Sequence, residues 1–175
     1  RLSLVTAAAL EPVTMEQAKE HVGIPLADNN HDGNIRQAVR AARGYIESQT
    51  GRQLITATWA EAFDKMPTGP SEFQPAKSPL LTVTSIAYTD TSGDAQTVTG
   101  TVYTVDTYSD PGRVRLAYGQ SWPTARVQPN SVILTYTAGY GLTPAKMPPE
   151  ARQAVLLLTA HFFDNPEPVI TTGAI

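Results

Sequence analysis

The sequence has 175 residues, 41% of them hydrophobic and 17% charged, with a formal net charge of −3. That length and apolar content can bury one good core, so a single domain over residues 1–175 is expected, and charge so slight and dispersed excludes a surface built to neutralise phosphates or to lie on an anionic membrane. The absence of cysteine excludes disulfides, thiolate metal sites and a cysteine nucleophile, and suits a reducing cytosol.

The opening RLSLVTAAAL is too short, and too polar at its ends, for a signal peptide. A first helix is predicted over 14–22. Thr14 can cap it, Gln17 can reach back to the cap backbone, Val13 can staple onto Ala18, and Gly23 and Pro25 stop it. A longer helix is predicted over 33–50, because Ile35, Ala38, Val39, Ala42, Tyr45 and Ile46 form one stripe at helical spacing. Arg36, Arg40, Arg43 and Glu47 lie away from that stripe, and Gly51 follows where a left-handed cap belongs.

Between these helices, DNNHDGNI at Asp28 to Ile35 has the spacing of a calcium loop, with oxygen-bearing residues at Asp28, Asn30 and Asp32, then Gly33 and an apolar Ile35. The twelfth position calls for a bidentate glutamate, and Val39 stands there, on the apolar stripe of the helix. The simpler expectation is that Asp32 or a neighbouring Asn caps the helix. A calcium-binding module using Asp28, Asn30 and Asp32 is the alternative of a different class, and a catalytic use of His31 with Asp28 or Asp32 is the third.

From about 55 to 138 the texture is that of strands, alternating and β-branched, with Gly, Pro, Asp and Ser at short intervals. The predicted strands are LITATWAEAF, LTVTSIAYTD, TVYTVDT, GRVRLAY and SVILTYTA, with a turn at Gly93 in TDTSGDAQT. Trp59 alternates as a core residue should, and Trp122, in a proline-rich connection, is either an exposed anchor or packed under its own loop. TAGYG at Thr137 to Gly141 lacks both the membrane helices of an ion filter and the third glycine of a dinucleotide loop, and is read as a turn leaving the last strand.

The last helix is predicted over 149–164, with paired prolines in its first turn and Glu150 at its positive end. Its apolar residues cover more than one stripe, so it is central or covered by another molecule on its second side. His161 is read as a core or interface residue. The run AVLLLTAHFF is about half the roughly 20 residues a membrane span needs. No Gly-x-Ser-x-Gly, phosphate loop or His-Glu-x-x-His occurs, so hydrolase and nucleotide chemistry have no foothold. The expected fold is therefore α+β: two N-terminal helices and one C-terminal helix packed with an antiparallel sheet from the middle of the chain, with 166–175 as a tail.

Three stretches in order, AARGYIESQTGR, SWPTARVQPNSVILTYTAGYG and PPEARQAVLLLTAHFFDNPEPV, resemble the head–tail connector (adaptor) family of long-tailed bacteriophages and of gene transfer agents, and the resemblance covers nearly the whole chain. It implies a structural protein rather than an enzyme, without cofactor, located in the virion neck and assembled in the bacterial cytoplasm. It further implies a ring of copies, commonly twelve-fold in the particle, between the portal protein and a stopper or tail-completion protein, with DNA passing through the lumen without specific binding. Family members continue past the EPV region through a segment associated with portal docking; here the sequence stops at Ile175, so that arm is expected to be truncated or to fold only on its partner. The interface candidates are Arg36, Arg40, Arg43, Glu47, Trp122, Glu167, Val169 and Ile170.

Overall fold

The computed structural model describes residues 1–69 and 72–165. The chain gathers into two compact units, one formed by Arg1–Ala9 with Gly51–Leu142 and one by Leu10–Thr50 with the chain from Thr143 onward. The first is built of strands, the second of helices, so the broad α+β class is observed.

The strand unit carries a five-stranded antiparallel sheet in the order β1 (Leu2–Thr6), β2 (Ala57–Phe63), β7 (Val132–Ala138), β3 (Leu80–Thr89), β4 (Ala95–Thr97). The central place goes to β7 because its alternation is the cleanest in the chain: Val132, Leu134, Tyr136 and Ala138 are all buried, while Thr135 and Thr137 between them are only partly covered. Two strands are additions to the sequence reading. The first lies in the opening residues, where β1 pairs Leu2 with Glu61 and Leu4 with Trp59; its exposed side chains leave no hydrophobic alternation to detect. The second, β4, is a three-residue strand inside the stretch read as a turn. The turn itself stands at Asp90 to Asp94, where Asp90 Oδ1 accepts from the amides of Ser92 (2.9 Å) and Asp94 (3.0 Å) and Gly93 has φ +99°.

The middle strands do not form a single sheet. β5 (Tyr103–Asp106) and β6 (Arg113–Leu116) make a separate two-stranded ribbon. Phe73 ties to it by reciprocal backbone bonds with Val114, 3.0 and 2.9 Å. Phe73 and Val114 then enter one core cluster with Leu80, Ile86, Leu134 and Tyr136. Burial of each such side chain stabilises by roughly 1.5–3 kcal/mol, and burial also holds the Tyr136 phenol neutral well above its ordinary pKa.

TAGYG is a turn, and the structure adds why it needs glycine. A Cβ on Gly139 would stand 2.6 Å from Thr56 Cα and 2.7 Å from Thr56 N, and its φ is +136°. The residue also donates its amide to Pro79 O at 2.9 Å, and Thr56 donates to Gly141 O at 2.9 Å, so the turn is pinned from two sides.

In the helical unit, α1 (Met15–His21) has the full capping box: Gln17 N donates to Thr14 Oγ1 (3.2 Å), and Thr14 N donates to Gln17 Oε1 (3.1 Å). α2 (Asp32–Thr50) buries Ile35, Ala38, Val39 and Ala42. The predicted stripe stops one turn early, since Tyr45 is half exposed, its ring meeting Phe162 edge-on at 6.4 Å. α3 (Pro149–Asp164) follows a short 3-10 turn over Pro144–Lys146, which Arg152 holds by donating to Pro144 O at 2.7 Å. α3 buries Val155 and Thr159, while Leu157 stays 57% exposed and Leu156 and Leu158 are partly covered. Among the described residues, no helix is long and apolar enough to cross a membrane.

Candidate functional site

The loop before α2 does enclose a cation, but it is Lys19, and of the Asp28, Asn30 and Asp32 side chains in the calcium spacing only Asp32 reaches it. This side chain leaves the buried side of α1 next to Ala18 and is 4% exposed. Its ammonium donates to Asp28 O (2.8 Å), Leu26 O (3.2 Å) and Asn29 Oδ1 (3.2 Å) and pairs with Asp32 Oδ1 at 2.7 Å. A buried ammonium is tolerated only when its three protons are bonded and its charge is balanced, and this loop supplies both. The capping expectation for Asp32 is corrected accordingly: it is the first residue of α2, and its carboxylate turns to Lys19 while it adds a negative charge at the helix N-terminus. Among the described residues, no three His, Asp or Glu side chains converge as a metal site.

Asp28 faces the other way. Its Oδ1 accepts from Asn30 N at 2.9 Å and its Oδ2 lies 3.3 Å from His31 Nδ1. The Asn30 amide first, and His31 with it, hold this carboxyl below its ordinary pKa. His31 is half exposed and its ring meets Phe163 edge-on at 6.1 Å, so the histidine and the aspartate form a surface pair. His161 is exposed on α3, and the core setting offered for it is not the one it occupies.

Of the four charged residues of α2, Arg36 and Arg40 are exposed and Arg43 and Glu47 partly covered, and the sequence did not reveal what faces them. Glu11, in the segment entering α1, meets Arg43 at 3.0 Å and Arg40 at 3.5 Å. Arg36 is exposed and pairs with no carboxylate among the described residues, while Glu47 is partly covered on the same stripe. A shallow groove runs between Arg36, Arg40 and Glu11 at its rim and Val13, Met15 and Val39 beneath.

Trp122 takes the second of its two settings. Its ring lies in the strand unit against Phe73 and Tyr103 and adjoins the core cluster. Trp59 is partly buried, donates its indole N–H to Gln53 Oε1 at 3.0 Å and carries the Lys77 ammonium over its face at 5.4 Å. Glu167, Val169 and Ile170 lie outside the described residues.

No family model and no curated protein matches the sequence. Solved structures do. The chain aligns at TM-score 0.80 and 22% identity with a chain from the neck of an empty gene transfer agent (GTA) particle computed with C6 symmetry, covering 99% of this chain and 89% of that one. This chain has the fold of gene transfer agent neck chains. A chain from the virion of a native GTA particle aligns at TM-score 0.78 and 24% identity over 99% and 87% of the two chains. One from the neck of a native GTA particle computed with C12 symmetry aligns at TM-score 0.72 and 21% identity over 99% and 88%. The match runs nearly the whole length of this chain, so both the strand unit and the helical unit have counterparts there.

Proposed function

We propose that this chain is a structural subunit of a virion neck, a connector that forms a ring between the portal vertex and the stopper or tail-completion protein. The observation that carries the reading is the fold shared with GTA neck chains over 99% of this chain. The surface chemistry supports it. An exposed Leu157 on α3 and an incompletely balanced arginine stripe on α2 suit contacts with other protein, and the mildly acidic net charge of −3 suits a lumen through which DNA slides without adhering. In this reading both units belong to one ring subunit, twelve copies make the assembled ring, and the tail over 166–175 docks on the portal.

Negative-stain microscopy of the purified protein mixed with portal particles tests it. Added neck density at the portal vertex is expected. A chain that leaves portals bare at micromolar concentration overturns the connector role. Deleting residues 166–175 is expected to leave the melting curve intact and to abolish attachment.

A further inference from the structure

Two outward faces of the helical unit are opposite in sign and alike in spacing. On α2, Arg40 and Arg43 share Glu11 while Arg36 meets no carboxylate among the described residues, so the Arg36, Arg40 and Glu11 rim of the Val13, Met15 and Val39 groove carries one excess positive charge. On α1, Glu16 and Glu20 are exposed. At about 100° per residue they lie on the side opposite the buried Ala18. Both pairs, Glu16 with Glu20 and Arg36 with Arg40, are spaced four residues apart, about 6 Å along a helix. Two exposed carboxylates thus face outward on one side, and on another, at the same pitch, stand Arg36, which meets no carboxylate among the described residues, and Arg40, which shares Glu11 with Arg43.

We infer that α1 of one copy docks through Glu16 and Glu20 on Arg36 and Arg40 of the next copy, with the aliphatic parts of the glutamates over the groove. The argument for a second copy as occupant is this complementarity: the chain carries both halves of the contact on different surfaces. Such a contact is heterologous, each copy offering a carboxylate face to one neighbour and an arginine face to the other, which is the arrangement that closes a ring. Carboxylate and guanidinium also match as forks, giving direction as well as attraction. The inference rests on the ring reading above and names the residues that would make the ring's subunit contact.

The test is a charge exchange followed by sedimentation at low salt, where exposed pairs are least screened. One variant carries Glu16→Arg and Glu20→Arg, the other Arg36→Glu and Arg40→Glu. Each alone sets like charges face to face and is expected to associate at least roughly tenfold more weakly than the wild type. Mixed in equal amounts, the two restore opposite charges at every contact, and association is expected to return to within about threefold of the wild type. Because Arg40→Glu also disturbs Glu11, Arg36→Glu alone, which breaks no ion pair among the described residues, has to weaken association in the same direction. Wild-type association that survives in both variants, or a mixture that does no better than its parts, overturns this contact while leaving the ring reading standing. A wild-type chain that remains monomeric at high concentration and low salt, and leaves portals bare, removes the ring and this contact together.

Discussion

The indole of Trp122 meets the ring of Phe73 edge-on, with centroids 5.3 Å apart, and lies nearly parallel to the ring of Tyr103 at 6.4 Å. The proline-rich connection that carries it is therefore fastened to the strand unit by aromatic contacts. Trp122→Ala removes that fastening and leaves a void, and is expected to lower stability by about 2–3 kcal/mol in urea unfolding. A loss below about 0.5 kcal/mol, the range of ordinary surface changes, would return Trp122 to the partner surface.

Lys19→Met leaves the Asp32 carboxylate facing carbonyl oxygens with no cation. Breaking a buried pair from one side costs about 3–5 kcal/mol. Asp32 is 27% exposed, which reduces the expected loss here to roughly 2–3 kcal/mol. Adding Asp32→Asn to the same chain should recover part of it, because the stranded charge disappears. Chemical unfolding of the two variants side by side decides this, and a double variant no better than the single one would show that the ion pair is not what the loop depends on.

Gly139→Ala places a methyl group inside van der Waals distance of the Thr56 backbone at a positive φ. Neither backbone can retreat without breaking the Gly139–Pro79 and Thr56–Gly141 hydrogen bonds. The expected loss is roughly 2–4 kcal/mol, read as a lower urea midpoint. Gly119→Ala provides the comparison: φ is also positive there, at +73°, but the space is open, and the loss should be about 1 kcal/mol.

Acid should unfold the strand unit through Asp106. Its carboxylate accepts from Ser109 Oγ (2.7 Å), Arg113 NH2 (2.7 Å) and the Ser109 and Tyr108 amides. Ser109 first and Arg113 next hold it far below the ordinary 3.8. The unfolded chain therefore takes up this proton at higher pH than the folded one. The stabilisation is whole above about pH 4 and is lost as pH falls through that value towards the folded pKa. Asp106→Asn should flatten the fall in stability between about pH 5 and pH 3; an unchanged slope would assign the acid sensitivity to other groups, with Asp90, in the same unit and also held low, as the next to replace.

Much of this fold could be read in the sequence wherever a local rule left a mark. Thr14 and Gln17 announce α1 because a capping box is a contact within three residues, and Ile35, Ala38, Val39 and Ala42 announce α2 because burial recurs at helical spacing. β7 is legible because both its flanks are paired and one face is buried. β1 was not, since a strand held mainly by its backbone to β2 leaves its side chains free of pattern. The separate ribbon of β5 and β6 was missed because pairing partners are not written in either strand. Lys19 and Glu11 were missed for a further reason: each acts across a loop, seven to thirty-two residues from its partners. One local signal was present, since Lys19 adjoins Ala18 on the side of α1 that the Val13 staple marks as buried, where a charge requires an answering charge.

The cage around Lys19 also changes what the loop asks of its surroundings. A loop shaped by calcium folds only where calcium is supplied, and a chelator or a drop in pH takes it apart. Here the cation arrives with the chain, one copy per loop, and cannot be diluted or sequestered. The link between α1 and α2 is therefore formed as soon as the helices are, whatever the ionic history of the medium. Any surface that α1 and α2 present together is fixed in advance of meeting a partner.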